Sequence, residues 1–158
     1  MLIKQLIQIL QHEYSKGIPS SYLVNDALKY YYESYNKDEI KKNKILLSQF
    51  NMNTYNKLVV HTDKNFSLNM ILWGKNSYTR TCSHTSNRDL MVMEGSIVAT
   101  KYEDSILGVN CLKLESGDVY NLKGGSFHNL INAESSKSLT LHVYDNYDYF
   151  RNLNLLMG

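Results

Sequence analysis

Three polar side chains near the C-terminus alternate with apolar residues, and their types could support hydrogen bonding and proton chemistry. The segment Thr140-Leu141-His142-Val143-Tyr144 alternates polar and apolar positions. In an extended strand, alternate side chains share a face, so Thr140, His142 and Tyr144 are predicted to lie together. A buried hydroxyl, imidazole and phenol are costly unless they bond each other or a ligand. The pattern therefore predicts a polar pocket inside a β-structure.

A second group of residues combines a histidine with glycines at fixed spacing. Gly117 is followed after five residues by Lys123, and Gly125, His128 and Asn132 come next. This order matches the second motif of the cupin superfamily, G-x5-P-x-G-x2-H-x3-N, except that Lys123 takes the place of the proline. In cupins the histidine of this motif is a metal ligand. The match favours that role for His128 over an ordinary strand histidine.

The first cupin motif, H-x-H-x3–4-E-x6-G, is matched in spacing but only partly in residue type. Cys82, His84, Arg88 and Gly95 fall at its four defined positions. Residues 82 and 84 share a face of a regular strand, as two ligands of one metal ion must. His84 is therefore predicted to be a ligand. Cys82 stands where cupins have a histidine, and Arg88 where they have a glutamate.

The elements that must position these residues form a helical first third and a β-rich remainder. Apolar residues recur at helical spacing from Leu2 to Leu10, and Gly17 is a plausible stop. Ser20 or Ser21 could cap a second helix that continues through Tyr31. A third helical segment is predicted over residues 38–50.

Eight short apolar runs follow, separated by turn residues such as Gly95 and Gly124-Gly125. Such spacing is typical of an antiparallel barrel or a double-sheet jelly roll. We therefore predict a mainly β protein, a cupin jelly-roll β-barrel with N-terminal α-helices, as a single domain over 1–158. Residues 1–50 form its helical part and 55–145 its barrel. The strands are predicted at 55–61, 66–73, 89–94, 96–102, 110–114, 118–122, 128–133 and 138–144.

Taken together, the motifs resemble those of the cysteine dioxygenase family of cupins, from the N-terminal helices to about Tyr144. Tyr55-Asn56-Lys57 resembles the family's Tyr-x-Arg, and residues 66–74 resemble its next strand and turn. The 140–144 segment resembles its Ser-x-His-x-Tyr row. The resemblance implies ferrous iron held by histidines, with O2 and a small thiol such as L-cysteine as substrates and a sulfinic acid as product.

The resemblance also implies a role for each matching residue. His84 and His128 are the expected metal ligands, and Cys82 takes the place of the first ligand. Lys57 takes the position of the arginine that clamps the substrate carboxylate, although a lysine lacks the bidentate fork of arginine.

The remaining assignments concern the pocket walls. Tyr144 is expected near the reacting groups, with His142 and Thr140 behind it as a hydrogen-bonded row. Tyr55 and Trp73 either shape the pocket or are plain core aromatics.

Lys57 is one of three departures from the family, and the other two, Cys82 and Arg88, leave the chemistry open. Cys82 could ligate as a thiolate, a donor that favours zinc or copper over iron, or it could be a small buried thiol without a ligand role. Arg88 stands where animal members carry the cysteine that crosslinks to the pocket tyrosine, so no crosslink to Tyr144 is expected. Arg88 could compensate a Cys82 thiolate, pair with a substrate carboxylate or oppose metal binding.

Two other functions therefore stay open beside the iron-dependent thiol dioxygenase. One is a degenerate, non-catalytic cupin that serves as a binding or regulatory domain, with or without metal. The other is a cupin with another metal and another substrate, such as an isomerase or a sugar-binding module. The Thr-x-His-x-Tyr row argues against the latter, since it is not a general cupin feature.

Bulk composition narrows the class of partners. The chain has 158 residues, with 17 lysines and arginines against 15 acidic residues, and its pI is about 8.4. This mild balance does not favour nucleic-acid binding. No secretory signal and no apolar run of membrane-spanning length is visible. We therefore expect a cytoplasmic monomer without a membrane partner, whose cysteines are thiols.

Overall fold

The computed structural model describes residues 1–35, 37–48, 54–102 and 109–146, and these ranges contain three helices and eight strands. The helices are α1 (Ile3–Ser15), α2 (Ser21–Ser34) and α3 (Lys37–Ser48). The strands are β1 (Tyr55–Thr62), β2 (Phe66–Trp73), β3 (Arg88–Glu94), β4 (Ser96–Tyr102), β5 (Val109–Glu115), β6 (Val119–Leu122), β7 (Phe127–Ile131) and β8 (Ser138–Asp145).

The first two helices pack on the β-structure because each carries an apolar stripe. Helix α1 buries Leu6, Leu10 and Tyr14, which recur every four residues and so lie on one side of the helix. The ring of Tyr14 stacks on Phe66 of β2 with 4.9 Å between centroids. Helix α2 buries Val24, Ala27, Leu28 and Tyr31 in the same way.

Helix α3 supplies a capping group for the N-terminus of α1. The Glu39 carboxylate accepts a hydrogen bond of 2.9 Å from the backbone N–H of Ile3, one of the donors that a helix start leaves without an internal partner. A negative charge at this end also interacts favourably with the helix dipole. None of the helices in the described ranges combines the length and the hydropathy that a membrane span requires.

The strands form two antiparallel sheets. The larger sheet has the order β1-β2-β8-β3-β6, and the smaller has the order β5-β4-β7. Apolar side chains of both sheets share one core cluster, which includes Trp73 and Leu90 from the larger sheet and Ile97 and Leu130 from the smaller. The sheets therefore pack face to face, with the helices outside the larger one.

Strand β8 shows how one segment serves both sides of the larger sheet. Leu139, Leu141 and Val143 belong to the core cluster beneath the helices. Thr140 and His142 point to the opposite side, between the sheets, where they are 0% and 2% exposed. The predicted alternation is therefore observed: the apolar residues of β8 face the helices, and the polar ones face the space between the sheets.

The predicted fold class is confirmed. Each of the eight predicted strands is present within one or two residues of its predicted ends, and the three helices lie where the apolar spacing predicted them. Within the described ranges, the ladders form two facing sheets instead of one closed barrel. Residues 49–50 of the predicted third helix lie outside the described residues.

A buried carboxyl group couples α2 to the sheet beneath it. Asp89 on β3 is 4% exposed and accepts a hydrogen bond from the side-chain amide of Asn121 on β6. Burial, and then the nearby Asp145, raise the pKa of Asp89 to about 7, although a hydrogen bond with Ser21 of α2 works in the opposite direction. The folded protein therefore favours the protonated carboxyl group.

The raised pKa of Asp89 predicts a pH-dependent stability. From about pH 4 to about pH 7 the folded state binds more protons than the unfolded state, so the free energy of unfolding falls as pH rises. Asp89→Asn should remove this slope. Relative to the wild type, the variant should therefore gain on the order of a few kcal/mol more in free energy of unfolding at pH 8 than at pH 5. Urea unfolding at both pH values measures it, with Asp26→Asn on the exposed face of α2 as control. An unchanged pH slope in Asp89→Asn would contradict the assignment.

Candidate metal centre and its cavity

A cavity of about 660 Å³ lies between the sheets and contains most of the side chains that the sequence singles out. It is lined by both candidate histidine ligands, by the candidate cysteine and by residues from the inner face of the larger sheet. The lining includes Tyr55, Lys57, Trp73, Cys82, His84, Arg88, His128, His142 and Tyr144. One cavity therefore brings together segments that are far apart in the chain.

Three side chains in this cavity form a cluster with metal-ligand geometry. The ligand atoms of Cys82, His84 and His128 all lie within 4.8 Å of one another. The Cys82 Sγ atom is 3.0 Å from Nε2 of His84, and the imidazole rings of His84 and His128 are 5.3 Å apart between centroids. Atoms at these separations can converge on one ion, since metal bonds to sulfur and nitrogen are about 2.0–2.3 Å long.

Backbone pairing places Cys82 opposite His128. Each of the two residues donates its N–H to the carbonyl oxygen of the other, and both hydrogen bonds are 3.0 Å long. A second bridge joins Tyr78 to Ile131. The segment that precedes His84 is thereby held against β7, so the two cupin motifs meet although 46 residues separate Cys82 from His128.

The glycines of the second motif press against the loop that carries His84. The N–H of Gly125 donates to the His84 carbonyl oxygen at 2.7 Å, and the N–H of Gly124 donates to the side chain of Asn87 at 3.1 Å. A Cβ atom at Gly124 would lie only 2.3 Å from the Thr85 carbonyl oxygen. Glycine is required here because the two backbones approach too closely for a side chain.

Asn132, the last residue of the second motif, has a structural role: its side chain forms hydrogen bonds with the backbone. Its side chain is fully buried and donates to the carbonyl oxygens of Gly74 and Ser136, both at 2.9 Å. Its amide oxygen accepts from the N–H of Glu134 at 3.2 Å. Asn132 therefore satisfies backbone groups that folding removes from water, and it fixes the turn between β7 and β8.

The candidate histidine ligands are held in the neutral form that binds metal. Burial, followed by the positive charge of Arg88, lowers the pKa of His84 to about 4. The pKa of His128 is also lowered, chiefly by burial. Nδ1 of His128 lies 3.1 Å from the Ser126 carbonyl oxygen, and a donated hydrogen bond there leaves Nε2 free as a ligand atom. This donor set fits a divalent transition metal ion.

The polar row on β8 is joined by a tryptophan from β2. Nε1 of Trp73 donates to Oγ1 of Thr140 at 2.8 Å, and the same oxygen lies 2.8 Å from Nε2 of His142. The rings of His142 and Tyr144 meet edge to face at 5.8 Å. Burial lowers the pKa of His142 to about 3, so this imidazole is neutral.

Two cationic side chains lie over the ring of Tyr144. Arg88 is the register partner of Tyr144 in the β3–β8 pair, and its Cζ atom is 4.4 Å from the ring centroid. Nζ of Lys57 is 4.9 Å from the same centroid. Both contacts are within the range of cation–π interactions. Arg88 thus packs directly on Tyr144.

Solved structures with the same arrangement of strands identify the fold. A cupin superfamily protein from Desulfitobacterium hafniense is similar, with a TM-score of 0.52 and 9% identity over 61% of this chain and 81% of that one. The chain has a cupin fold. A protein from Thermus thermophilus is also similar, with a TM-score of 0.56 and 18% identity over 65% of this chain and 92% of that one.

Some of the similar cupins are enzymes. Oxalate oxidase matches with a TM-score of 0.50 and 14% identity, over 58% of this chain and 49% of that one. No protein-family profile matches the chain, and no curated protein does. At these identities the likeness shows the cupin fold alone.

The structure also reveals cavity features that the sequence analysis missed. Trp73 was expected either to shape the pocket or to be a plain core aromatic, and it is in addition the hydrogen-bond donor to Thr140. A buried indole N–H normally has a partner, and this rule could have directed attention to Thr140. Arg80 lines the cavity as well, and nothing in the motif spacing indicated it. Tyr55 lies at the rim, 40% exposed, with its ring 5.2 Å from that of Trp73.

The close approach at Gly124 predicts the effect of a single added methyl group. Gly124→Ala should push the Thr85 backbone away and displace His84 from Cys82 and His128. We expect cobalt(II) affinity to fall by at least about tenfold, the range for disturbed support of a ligand. Titration of the sulfur-to-cobalt charge-transfer absorption measures it. Lys123→Ala at the neighbouring exposed position is the control, and an unchanged affinity in Gly124→Ala would refute the steric argument.

Proposed function

We propose that this cupin is a metal-dependent thiol dioxygenase that uses iron and oxidises cysteine or a related small thiol acid to its sulfinic acid. The supporting observation is that the Cys82/His84/His128 cluster lines the same cavity as His142 and Tyr144, with Thr140 hydrogen-bonded to His142 behind them. Either group alone could occur in many proteins. A metal centre beside such a row is a feature of the cysteine dioxygenase family, which the sequence resembles, although Cys82 takes the place of one of the family's histidines.

The proposed overall reaction balances as R–SH + O2 → R–SO2H, with both oxygen atoms transferred to sulfur. Ferrous iron, when bound by Cys82, His84 and His128, would supply the site at which thiolate and O2 meet and exchange electrons. The thiolate donor in place of a histidine adds negative charge to this site. We therefore expect a lower metal redox potential than three histidines would give.

The residues of the chain would bind and orient the substrate. The ammonium group of Lys57 and the guanidinium group of Arg88 both lie near the Tyr144 ring, and we expect them to bind the anionic part of the substrate. Burial raises the pKa of Tyr144, although the charge of Arg88 opposes this effect. The phenol therefore keeps its proton and can donate a hydrogen bond to a bound oxygen atom. The hydrogen bonds from Trp73 to Thr140 and between Thr140 and His142 stabilise the row of β8 that ends at Tyr144.

A non-catalytic binding domain is the second candidate, and Arg88 is the observation that favours it. The charge of Arg88 lowers the pKa of both candidate histidine ligands, after burial. The same charge repels a metal cation. Metal content discriminates the two functions, because the dioxygenase requires iron at this centre and a binding domain does not.

The first test measures iron content and turnover. We expect the protein, loaded anaerobically with ferrous iron, to bind one iron per chain, consume O2 with cysteine and form a sulfinate. His84→Ala should lose at least about a hundredfold in metal affinity, because it removes a ligand atom, and should lose turnover with it. His12→Ala on the exposed side of α1 is the matched control. Stoichiometric iron without turnover across a panel of small thiol acids would contradict the proposal.

The second test separates a working ligand at position 82 from a lost one. Under the proposal with a thiolate ligand, Cys82→His should keep iron but shift its redox potential upward and change the rate of O2 uptake. Cys111→His, at an exposed cysteine on β5, controls for an added histidine. If Cys82→His instead gains both iron and activity that the wild type lacks, Cys82 is a lost ligand, and the wild-type chain is the non-catalytic domain.

A further inference from the structure

The cavity concentrates positive charge on one aromatic ring. Lys57 comes from β1 and Arg88 from β3, which lie on opposite sides of β8 in the larger sheet. Both side chains nevertheless converge on the ring of Tyr144, at 4.9 and 4.4 Å. Two like charges share one ring here, and their mutual repulsion falls when a group of opposite charge lies nearby.

The described residues provide no such compensation. No aspartate or glutamate is among the described residues that line the cavity, and neither Lys57 nor Arg88 forms an ion pair with a described residue. The Nε atom of Arg88 is buried and has no hydrogen-bond partner among the residues that the structure describes. A buried donor of this kind normally has an acceptor, so the missing acceptor is expected to come with a ligand.

Burial, and then the charge of Arg88, lower the pKa of Lys57. The direction of this shift agrees with the geometry, since the ammonium group of Lys57 shares the Tyr144 ring with the guanidinium group of Arg88. A single carboxylate could pair with Lys57 or with the fork of Arg88. It would leave the other cation without an anionic partner in the cavity.

We infer that the natural substrate carries two anionic groups besides its sulfur, so that Lys57 and Arg88 each bind one of them. This inference rests on the proposed function for the position of the sulfur, which would face Cys82, His84 and His128. It differs from the cysteine expectation, because cysteine offers only one carboxylate. Arg80 at the cavity wall adds to the same positive potential.

Formal charges support the same substrate class. A dipositive ion with one thiolate and two neutral histidines keeps one positive charge, and Lys57 and Arg88 add one each. A thiolate with two further anionic groups neutralises the summed positive charge of the metal centre and the two side chains. The thiolate and carboxylate of cysteine leave part of that charge without compensation. The doubly anionic thiol is therefore the better electrostatic match.

The test compares two thiols that differ by one carboxylate, mercaptosuccinate and 3-mercaptopropionate. Trp73 is the only tryptophan of the chain and lines the cavity, so its fluorescence reports binding to metal-free protein without any turnover. We expect mercaptosuccinate to bind at least about tenfold more tightly, the usual effect of one added hydrogen-bonded charge pair. Arg88→Gln and Lys57→Gln should each abolish this preference.

Two further variants control the result. Lys29→Gln removes the same charge from the exposed side of α2 and should leave the preference intact. Arg88→Lys keeps the charge and should retain part of it. If Arg88→Gln does not fold, Lys57→Gln on the edge strand β1 decides alone.

Equal affinity for the two thiols, or a preference that survives both glutamine variants, would overturn the inference. The outcome is separable from that of the proposed function. A preference for mercaptosuccinate in metal-free protein, together with no turnover after iron loading, would refute thiol oxidation and leave the dianion site standing.

Discussion

The register of β8 between β2 and β3 is the constraint on which this structure depends. Thr140 lies opposite Ile71 of β2 and Val92 of β3, and Tyr144 lies opposite Ser67 and Arg88. Side chains alternate with a period of two, so a shift by one residue would turn the whole strand over. The leucines would then enter the cavity, and the hydroxyl, imidazole and phenol would face the helices. The apolar contacts of α1 and α2 with Leu139, Leu141 and Val143 therefore also fix the polar row of the cavity.

The candidate site is divided between the two sheets, and the chemistry of each part differs. The loop after β2 and strand β7 of the smaller sheet supply sulfur and nitrogen donors, which are neutral or become anionic when they bind metal. The larger sheet supplies Lys57, Arg88 and the hydrogen-bonded row. The cavity between them can hold a substrate with a soft sulfur atom at one end and anionic groups at the other. This separation of soft donors from fixed cations is what the proposed thiol chemistry requires.

The departures from the cysteine dioxygenase pattern are connected in space. Cys82 replaces a neutral ligand with one that becomes negative, and Arg88 introduces a positive charge that acts on Cys82 and on Tyr144. Lys57 replaces an arginine, and Arg88 contributes a second cation over the same ring. Cys82, Arg88 and Lys57 therefore belong to one connected charge pattern. Under the proposed function, such a pattern fits a substrate other than cysteine.

Much of the fold and part of the site could be predicted from the sequence, because both depend on local spacing. Alternation over 138–144, turn glycines such as Gly95, and the fixed positions of His84 and His128 are properties of short segments. They determined the strands, the polar face of β8 and the candidate ligands. Only the tertiary structure decided what those segments meet. Trp73 donates to Thr140 across 67 residues of sequence, Gly124 presses on Thr85, and Lys57 and Arg88 converge on Tyr144 from separate strands. Such contacts depend on strand order and on the packing of distant segments, and local periodicity contains no information about either.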